Sequence, residues 1–367
     1  MPPHTAHTHH TSLSEFALID RYFRRATPLR HAALGVGDDC ALLPLPAGEM
    51  LAISTDTLVA GRHFFDDVNP AALGHKALAV NLSDLAASGA RPLACMLALT
   101  LPAVDDAWLA AFAQGLHALA DASGCELIGG DTTGGPLSIT ITVLGGVPHG
   151  QALLRSGARA GDDIYASHRT GQGLGAARLA LHLLQAQRGQ APESAIVRLD
   201  AAQKTALLHA TRQQLEAPEP RTALGLALRG VASACMDISD GLQGDLRHIL
   251  HASGVGATLY ASAAAEPDAA RERPNDGACG LLAASSPVLH ALGHGQALHY
   301  ALAGGDDYEL LFTAPAQQRA QVAHIARQTG LQLTRIGRIE QEPGLRLRQA
   351  DGRNVCIQAN GFDHFRA

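Results

Sequence analysis

Apolar residues fall at helical spacing over 14–25 (SEFALIDRYFRR), with Ser14 placed to cap, so the chain is predicted to open on a helix. Alternating or continuous apolar runs follow in CALLPL, MLAISTD, LACMLALTLP, CELIGGD and LSITITVLGGV, each predicting a strand. Between them, LGHKALAVNLSDLAASGARP and WLAAFAQGLHALADASG return to helical spacing. The first is expected to stop at Ser88-Gly89, with Pro92 just beyond, and the second at Gly124. The N-terminal half therefore reads as mixed α/β.

Over 148–163 turn residues and charges interrupt the apolar pattern and mark a domain boundary. The second half opens on a strand, DDIYAS, followed by a Gly-rich helix start at TGQGLGAARLALHLL. In DISDGLQGDLRHIL, Ser239 or Asp240 is placed to cap a helix whose apolar face is Leu242, Leu246, Ile249 and Leu250. Residues 261–296, rich in Ala, Pro and Gly, read as partly irregular, in the manner of an insertion. A helix over 317–328 and the strand LTRIGRI come near the end. The expected division is a disordered tail over 1–13, an N-terminal domain over 14–149 and a C-terminal α/β domain over 150–367.

Composition narrows the partners. With 367 residues, 47% of them hydrophobic, the chain can fill two cores. Only 17% are charged and 4% aromatic, and the net charge is -6, which points to small molecules and not to nucleic acid. The six cysteines are scattered without a C-x-x-C pair, so they read as free thiols. No signal-like start and no apolar run of about 18 residues occurs, so a cytoplasmic protein without a membrane span is expected.

Six short segments share one form, an apolar stretch followed by small residues and Asp. They are GVGDD (Asp38, Asp39), ISTD (Asp56), NLSD (Asp84), LIGGD (Asp131), MDISDG (Asp237, Asp240) and LAGGDD (Asp306, Asp307). Each alone is ordinary turn chemistry. Together, carboxylates at strand ends facing one crevice repel each other unless a cation is present, and Mg²⁺ with its preference for hard oxygen ligands suits them. Asp84 falls on a predicted helix, where Asn81 shares its face and is expected to point the same way. The only lysines are Lys76 and Lys204; Lys204-Thr205 lacks the preceding glycines of a phosphate loop, and no H-R-D or D-F-G motif occurs. Phosphate charge is thus left to Mg²⁺, Arg and backbone N–H groups such as those at Gly129-Gly130.

The motifs GVGDDCALL, AISTDTLVAGRHF, KALAVNLSDLAASGARP, LIGGDTT, LLRSGARAGD, DISDGL, GGDDYELLF and NGFDHF occur in an order that resembles the thiamine-monophosphate kinase family. That family belongs to the aminoimidazole-ribonucleotide synthetase-like superfamily. The resemblance implies an α/β fold of the α+β type, with an N-terminal domain that dimerises through its sheet and a C-terminal α/β domain. It implies transfer of phosphate from ATP to thiamine monophosphate, giving thiamine diphosphate, with several Mg²⁺ ions. By position, it makes Asp39, Ser54, Thr55, Asp56, Asp84, Asp131, Asp237 and Asp240 metal ligands, with Asp56, Asp84 and Asp131 central to catalysis. Gly130, Asp131, Arg155 and Ser239 become ATP contacts, and His63, Asp306 and Phe362 substrate contacts. The chain departs from the family pattern at Asp306, where relatives commonly carry Glu, and at Gly134, where many carry Arg. Selenophosphate synthetase and the hydrogenase maturation factor, which need a reactive N-terminal or C-terminal Cys, fit less well: the ends read MPPHTAHTHH and DHFRA.

Overall fold

The computed structural model describes residues 14–190, 194–263 and 279–357. The expected tail over 1–13 and the substrate contact at Phe362 lie outside the described residues.

The N-terminal half runs α1 (Glu15–Tyr22), β1 (Glu49–Val59), α2 (Pro70–Ala87), β2 (Arg91–Leu101), α3 (Asp106–Ser123), β3 (Glu126–Gly134) and β4 (Ser138–Pro148). Its helix ends follow local chemistry. The Asn69 side chain accepts the N–H groups of Ala71 and Ala72 ahead of Pro70, Asp105 does the same for α3, and α3 stops at left-handed Gly124. CALLPL does not become a strand; Leu42 makes only an isolated bridge to Leu34. Pro44 and Pro46, which bring no N–H to a ladder, account for the difference.

The four strands lie in the order β1-β4-β2-β3, with β2 and β3 parallel and the other pairs antiparallel. One face carries the core with α2 and α3, including Leu78, Leu82, Leu99 and Phe112. The opposite face is covered at one end, where Ala94 and Leu144 pack with Ala32, Ala41 and Leu43, and is otherwise open among the described residues: Leu51, Ile53, Val59 and Met96 are exposed, beside the hydroxyl pairs Thr55–Thr142 and Thr57–Thr140 at 2.8 and 2.9 Å.

The rest comprises β5 (Asp163–His168), α4 (Ala176–Gln187), α5 (Ser194–Val197), α6 (Ala201–Glu216), α7 (Thr222–Ala227), β6 (Ala234–Asp237), α8 (Leu242–Ser253), β7 (Gly256–Tyr260), α9 (Leu281–Ala284), α10 (His294–Ala303), β8 (Leu310–Ala314), α11 (Arg319–Thr329), β9 (Gln332–Glu340), β10 (Gly344–Arg348) and β11 (Asn354–Cys356). Its seven strands are ordered β11-β10-β7-β9-β5-β8-β6, and only β7–β10 is parallel. Helices α8, α9 and α10 close one core, and α7 and α11 close another around the stacked rings of Tyr165 and Phe312. The described parts of 261–296 are largely short helical pieces, more regular than the composition predicts. No helix among the described residues is long and apolar enough to cross a membrane.

Helix α2 joins the two halves. Thirteen of its 18 residues are buried, Lys76, Asn81 and Ser83 among them, because it packs on β1, β2 and β4 and also on α7 and β6. The approach to α7 is so close that a Cβ on Gly225 would lie 2.0 Å from the Ala86 carbonyl oxygen.

Candidate active site

The carboxylates arrive from three directions. Asp56 lies on the helix-facing side of β1, Asp84 on α2, and Asp237 at the end of β6 with Asp240 three residues on. Hydroxyls and an amide fix them. Ser54 Oγ donates to Asp84 Oδ2 at 2.5 Å, and Ser83 Oγ, from the next residue of the helix, donates to Asp237 Oδ2 at 2.7 Å. Asn81 is a fully buried brace and does not point into the crevice: its Oδ1 accepts the Asp56 N–H at 3.0 Å, and its Nδ2 donates to the Ala77 carbonyl.

The N-cap position of α8 is Gly241 and not Ser239 or Asp240. Gly241 is the first-turn boundary, and Asp245 reaches back to accept the N–H groups of Ser239 and Asp240 at 3.1 and 3.2 Å. The GGDDYEL loop crosses this turn. Asp306 N–H donates to the Ser239 carbonyl and Tyr308 N–H to the Ile238 carbonyl, both at 2.8 Å. Asp306 (φ 58°) and Tyr308 (φ 49°) sit in the left-handed region, a strained conformation for tyrosine that the flanking hydrogen bonds hold.

Together these elements wall a cavity of about 420 Å³ carrying Asp56, Asp84, Asp237, Asp240, Asp306 and His63. His63 Nδ1 accepts the Val59 N–H at 3.0 Å, which leaves its proton on Nε2. Arg155 is exposed, and its charge acts on Asp84, opposing the burial that raises that carboxyl. Burial first, then the Asp84 and Asp240 charges, pushes Asp56 up to about 6. Burial and the neighbouring carboxylates also raise Asp237, and they push Asp245 up to about 8.

A second group stands apart. Asp38, Asp39, Gly130 and Asp131 line another cavity, of about 1010 Å³, floored by Phe16, Ile19, Met96 and Leu97. Asp131 lies on the uncovered face of β3 in the same row as Ala98, Thr140 and Thr57. Three strand spacings separate it from β1, about 14 Å. Thr55 shares that uncovered face, while Asp56 and Ser54 face the helix. At Gly130 (φ 148°) a Cβ would lie 1.8 Å from the Leu97 carbonyl oxygen, so only glycine fits there.

Among the described residues, no three His, Cys, Asp or Glu side chains are close enough to hold a metal unaided. The donor set still fits Mg²⁺: it consists of oxygens alone, and burial with mutual repulsion raises its carboxyls despite the Arg155 charge near Asp84. Mg²⁺ takes few protein ligands and completes its octahedron with water and phosphate. The shifts also set a pH response. Carboxyls held above 3.8 in the fold keep protons that the unfolded chain has lost, so the metal-free protein is stabilised at low pH and loses that stability as pH rises through about 6 to 8. Melting temperature without Mg²⁺ is expected to fall between pH 5.5 and 8, and Mg²⁺ with nucleotide to raise it more at pH 8. A flat profile, with equal Mg²⁺ shifts at both pH values, would contradict the proposed environment.

Lys76, Ser83, Asp245 and Tyr308 belong to this site and were not anticipated. Lys76 and Ser83 stand within one of the recognised motifs, but only the packing of α2 shows them to be buried.

Residues 37–147 match the N-terminal domain model, and 159–349 the C-terminal domain model, of AIR synthase related protein. The thiamine-monophosphate kinase of Salmonella typhimurium is 45% identical over 353 residues, covering 96% of this chain and 98% of that protein. The Escherichia coli K12 enzyme is 44% identical with the same coverage. The crystal structure of thiamine-monophosphate kinase from Stenotrophomonas maltophilia K279a superimposes with a TM-score of 0.75 at 43% identity, over 95% of this chain and all of that one. AaThiL complexed with AMPPCP and TMP gives 0.68 at 27% identity, over 87% and 89%. Escherichia coli HypE, at 19% identity and a TM-score of 0.68, shares the fold. By full-length identity and by fold, the chain belongs to the thiamine-monophosphate kinase family.

Proposed function

We propose that the chain phosphorylates thiamine monophosphate with ATP, giving thiamine diphosphate and ADP. The observation that carries this is the convergence of Asp56, Asp84, Asp237 and Asp240 on one cavity whose wall also holds His63 and Asp306. A terminal phosphate oxygen of thiamine monophosphate attacks the γ-phosphorus of ATP in line, and the bond to the ADP oxygen breaks. The nucleophile is already an anion, so no strong general base is required. When bound, Mg²⁺ supplies the positive charge that two polyanions need to approach each other. Asp56, Asp84, Asp237 and Asp240, with Ser54 beside them, form the ligand side. His63 Nε2–H faces the acceptor phosphate, Asp306 faces the cationic ring system, and Arg155 and the Ser239 turn meet ATP.

The active unit in this reading is a homodimer. Asp39, Gly130, Asp131 and Thr55 do not join the first group within one protomer, and the uncovered sheet face is apolar at Leu51, Ile53, Val59 and Met96. Two such faces apposed about a two-fold axis, β1 alongside β3, bring Asp131 of the partner subunit toward Thr55, the neighbour of Asp56. The division at 149/150 then separates a nucleotide-binding, dimerising domain from one that completes the substrate pocket. A cytoplasmic setting suits Cys95 and Cys125, which are buried and free.

The test is purified protein with ATP, Mg²⁺ and thiamine monophosphate, assayed for thiamine diphosphate, with free thiamine and formylglycinamidine ribonucleotide as alternative substrates. Thiamine diphosphate formed only from the monophosphate is the expected result. Turnover of another substrate instead, or nucleotide binding without any turnover, overturns the reading.

A further inference from the structure

We propose that Lys76 is a positioning residue that holds Asp306 in place for the substrate, acting across the boundary between the two sheets. The inference rests on the kinase reading above and names a residue that acts through another one.

Lys76 lies on α2 with its side chain only 3% exposed, and its Nζ is 3.1 Å from Asp306 Oδ1. Burying an ammonium group is costly unless a hydrogen-bonded anion accompanies it, so one buried lysine in a chain with two calls for an explanation. Asp306 lines the substrate cavity, whereas Lys76 is not one of its wall residues. Lys76 therefore bears on the substrate through Asp306.

Asp306 needs such an anchor for two reasons. Its backbone is in the left-handed region, between Gly305 (φ 118°) and Tyr308 (φ 49°) two residues on, and a single backbone bond to Ser239 fixes it from behind. It also stands among like charges: Asp306, Asp56, Asp237 and Asp240 all act on the buried Tyr308 hydroxyl in the same direction. Without a nearby cation, an aspartate on a two-glycine loop is driven from the other carboxylates toward solvent. Lys76 opposes that drive from the far side. It occupies Oδ1 and leaves the second carboxylate oxygen to the cationic ring of thiamine monophosphate.

The test compares steady-state kinetics of the full-length wild type, Lys76→Met, Lys76→Arg, Asp306→Asn and Lys76→Met/Asp306→Asn. Lys76→Met is expected to raise KM for thiamine monophosphate by about tenfold or more, with KM for ATP within about twofold of wild type. Lys76→Arg should recover part of the loss. The double variant should match Asp306→Asn alone, because Lys76 has no separate route to the substrate. A merely structural lysine would lower the melting temperature and active fraction without splitting the two KM values. Unchanged KM for thiamine monophosphate in Lys76→Met, or equal rises for both substrates, overturns the proposal. If Lys76→Met does not fold, the double variant, which leaves no uncompensated charge, is compared with Asp306→Asn. Equal KM values support the inference, and a further tenfold rise overturns it. A wild type that makes no thiamine diphosphate defeats the kinase reading itself, whereas an active wild type with an indifferent Lys76→Met defeats only this inference.

Discussion

Replacing Asp84 with asparagine is expected to cut turnover by about a hundredfold or more while leaving the fold intact, since a preorganised charge at a phosphoryl-transfer site contributes about 3 kcal/mol. Asp84 is the carboxylate nearest the centre of the arrangement. It takes Ser54 of β1 at 2.5 Å, its neighbour Ser83 holds Asp237 at 2.7 Å, and its charge raises both Asp56 and Asp237. The amide keeps the shape and the Ser54 hydrogen bond but removes the negative charge. Mutual repulsion with Asp56 also falls, so the variant should melt at the wild-type temperature or higher without Mg²⁺. The expected pattern is a protein of undiminished stability, with turnover and Mg²⁺-dependent stabilisation both lost. Near-normal kcat in Asp84→Asn would remove this carboxylate from the machinery. Asp56→Asn and Asp131→Asn should lose comparable activity, and an active Asp131→Asn would sink its place in the metal set.

The second large effect concerns the uncovered sheet face. Ile53, 60% exposed on β1, is replaced by aspartate at a position where a monomer would tolerate the change freely. In the dimeric reading the new carboxylate is buried against an apolar partner face without a counter-charge, at a cost of several kcal/mol. The variant should sediment as a folded monomer. Its kcat should fall by about a hundredfold or more, because Asp131 of the partner subunit no longer completes the site next to Thr55. Thermal melting and sedimentation velocity, run with the kinetic assay, separate the outcomes. A monomeric Ile53→Asp with full activity, or a wild type that is already monomeric, would show that each protomer assembles its site alone.

Much of this was legible in the chain. Apolar spacing places α2 and α3, and their stops at Ser88-Gly89 and Gly124 stand in the sequence, while their starts at Asn69-Pro70 and Asp105 lie ahead of the apolar pattern. The acidic segments were visible as candidates because strand-ending carboxylates are rarely gathered in one chain without a cation to serve. Spacing could not show which of them meet. Asp56 and Asp131 carry the same signal in sequence, yet strand order puts them on opposite edges and opposite faces of one sheet. The failed expectations have local causes as well. CALLPL has the hydrophobicity of a strand, but Pro44 within it and Pro46 just beyond bring no N–H to a ladder. Asn81 shares a face with Asp84 in the sequence, and its place as a buried brace, like the burial of Lys76, shows only once α2 is seen to be covered from both sides.

That double covering of α2 also limits how the molecule moves. A helix that supplies core to both sheets, with Gly225 pressed on its last turn, cannot act as a hinge between them without parting well-packed surfaces. The two halves are thereby bound into one melting unit. Residues of the 60–69 connection, which carries His63, and of the 304–309 loop line the cavity as short segments on that frame.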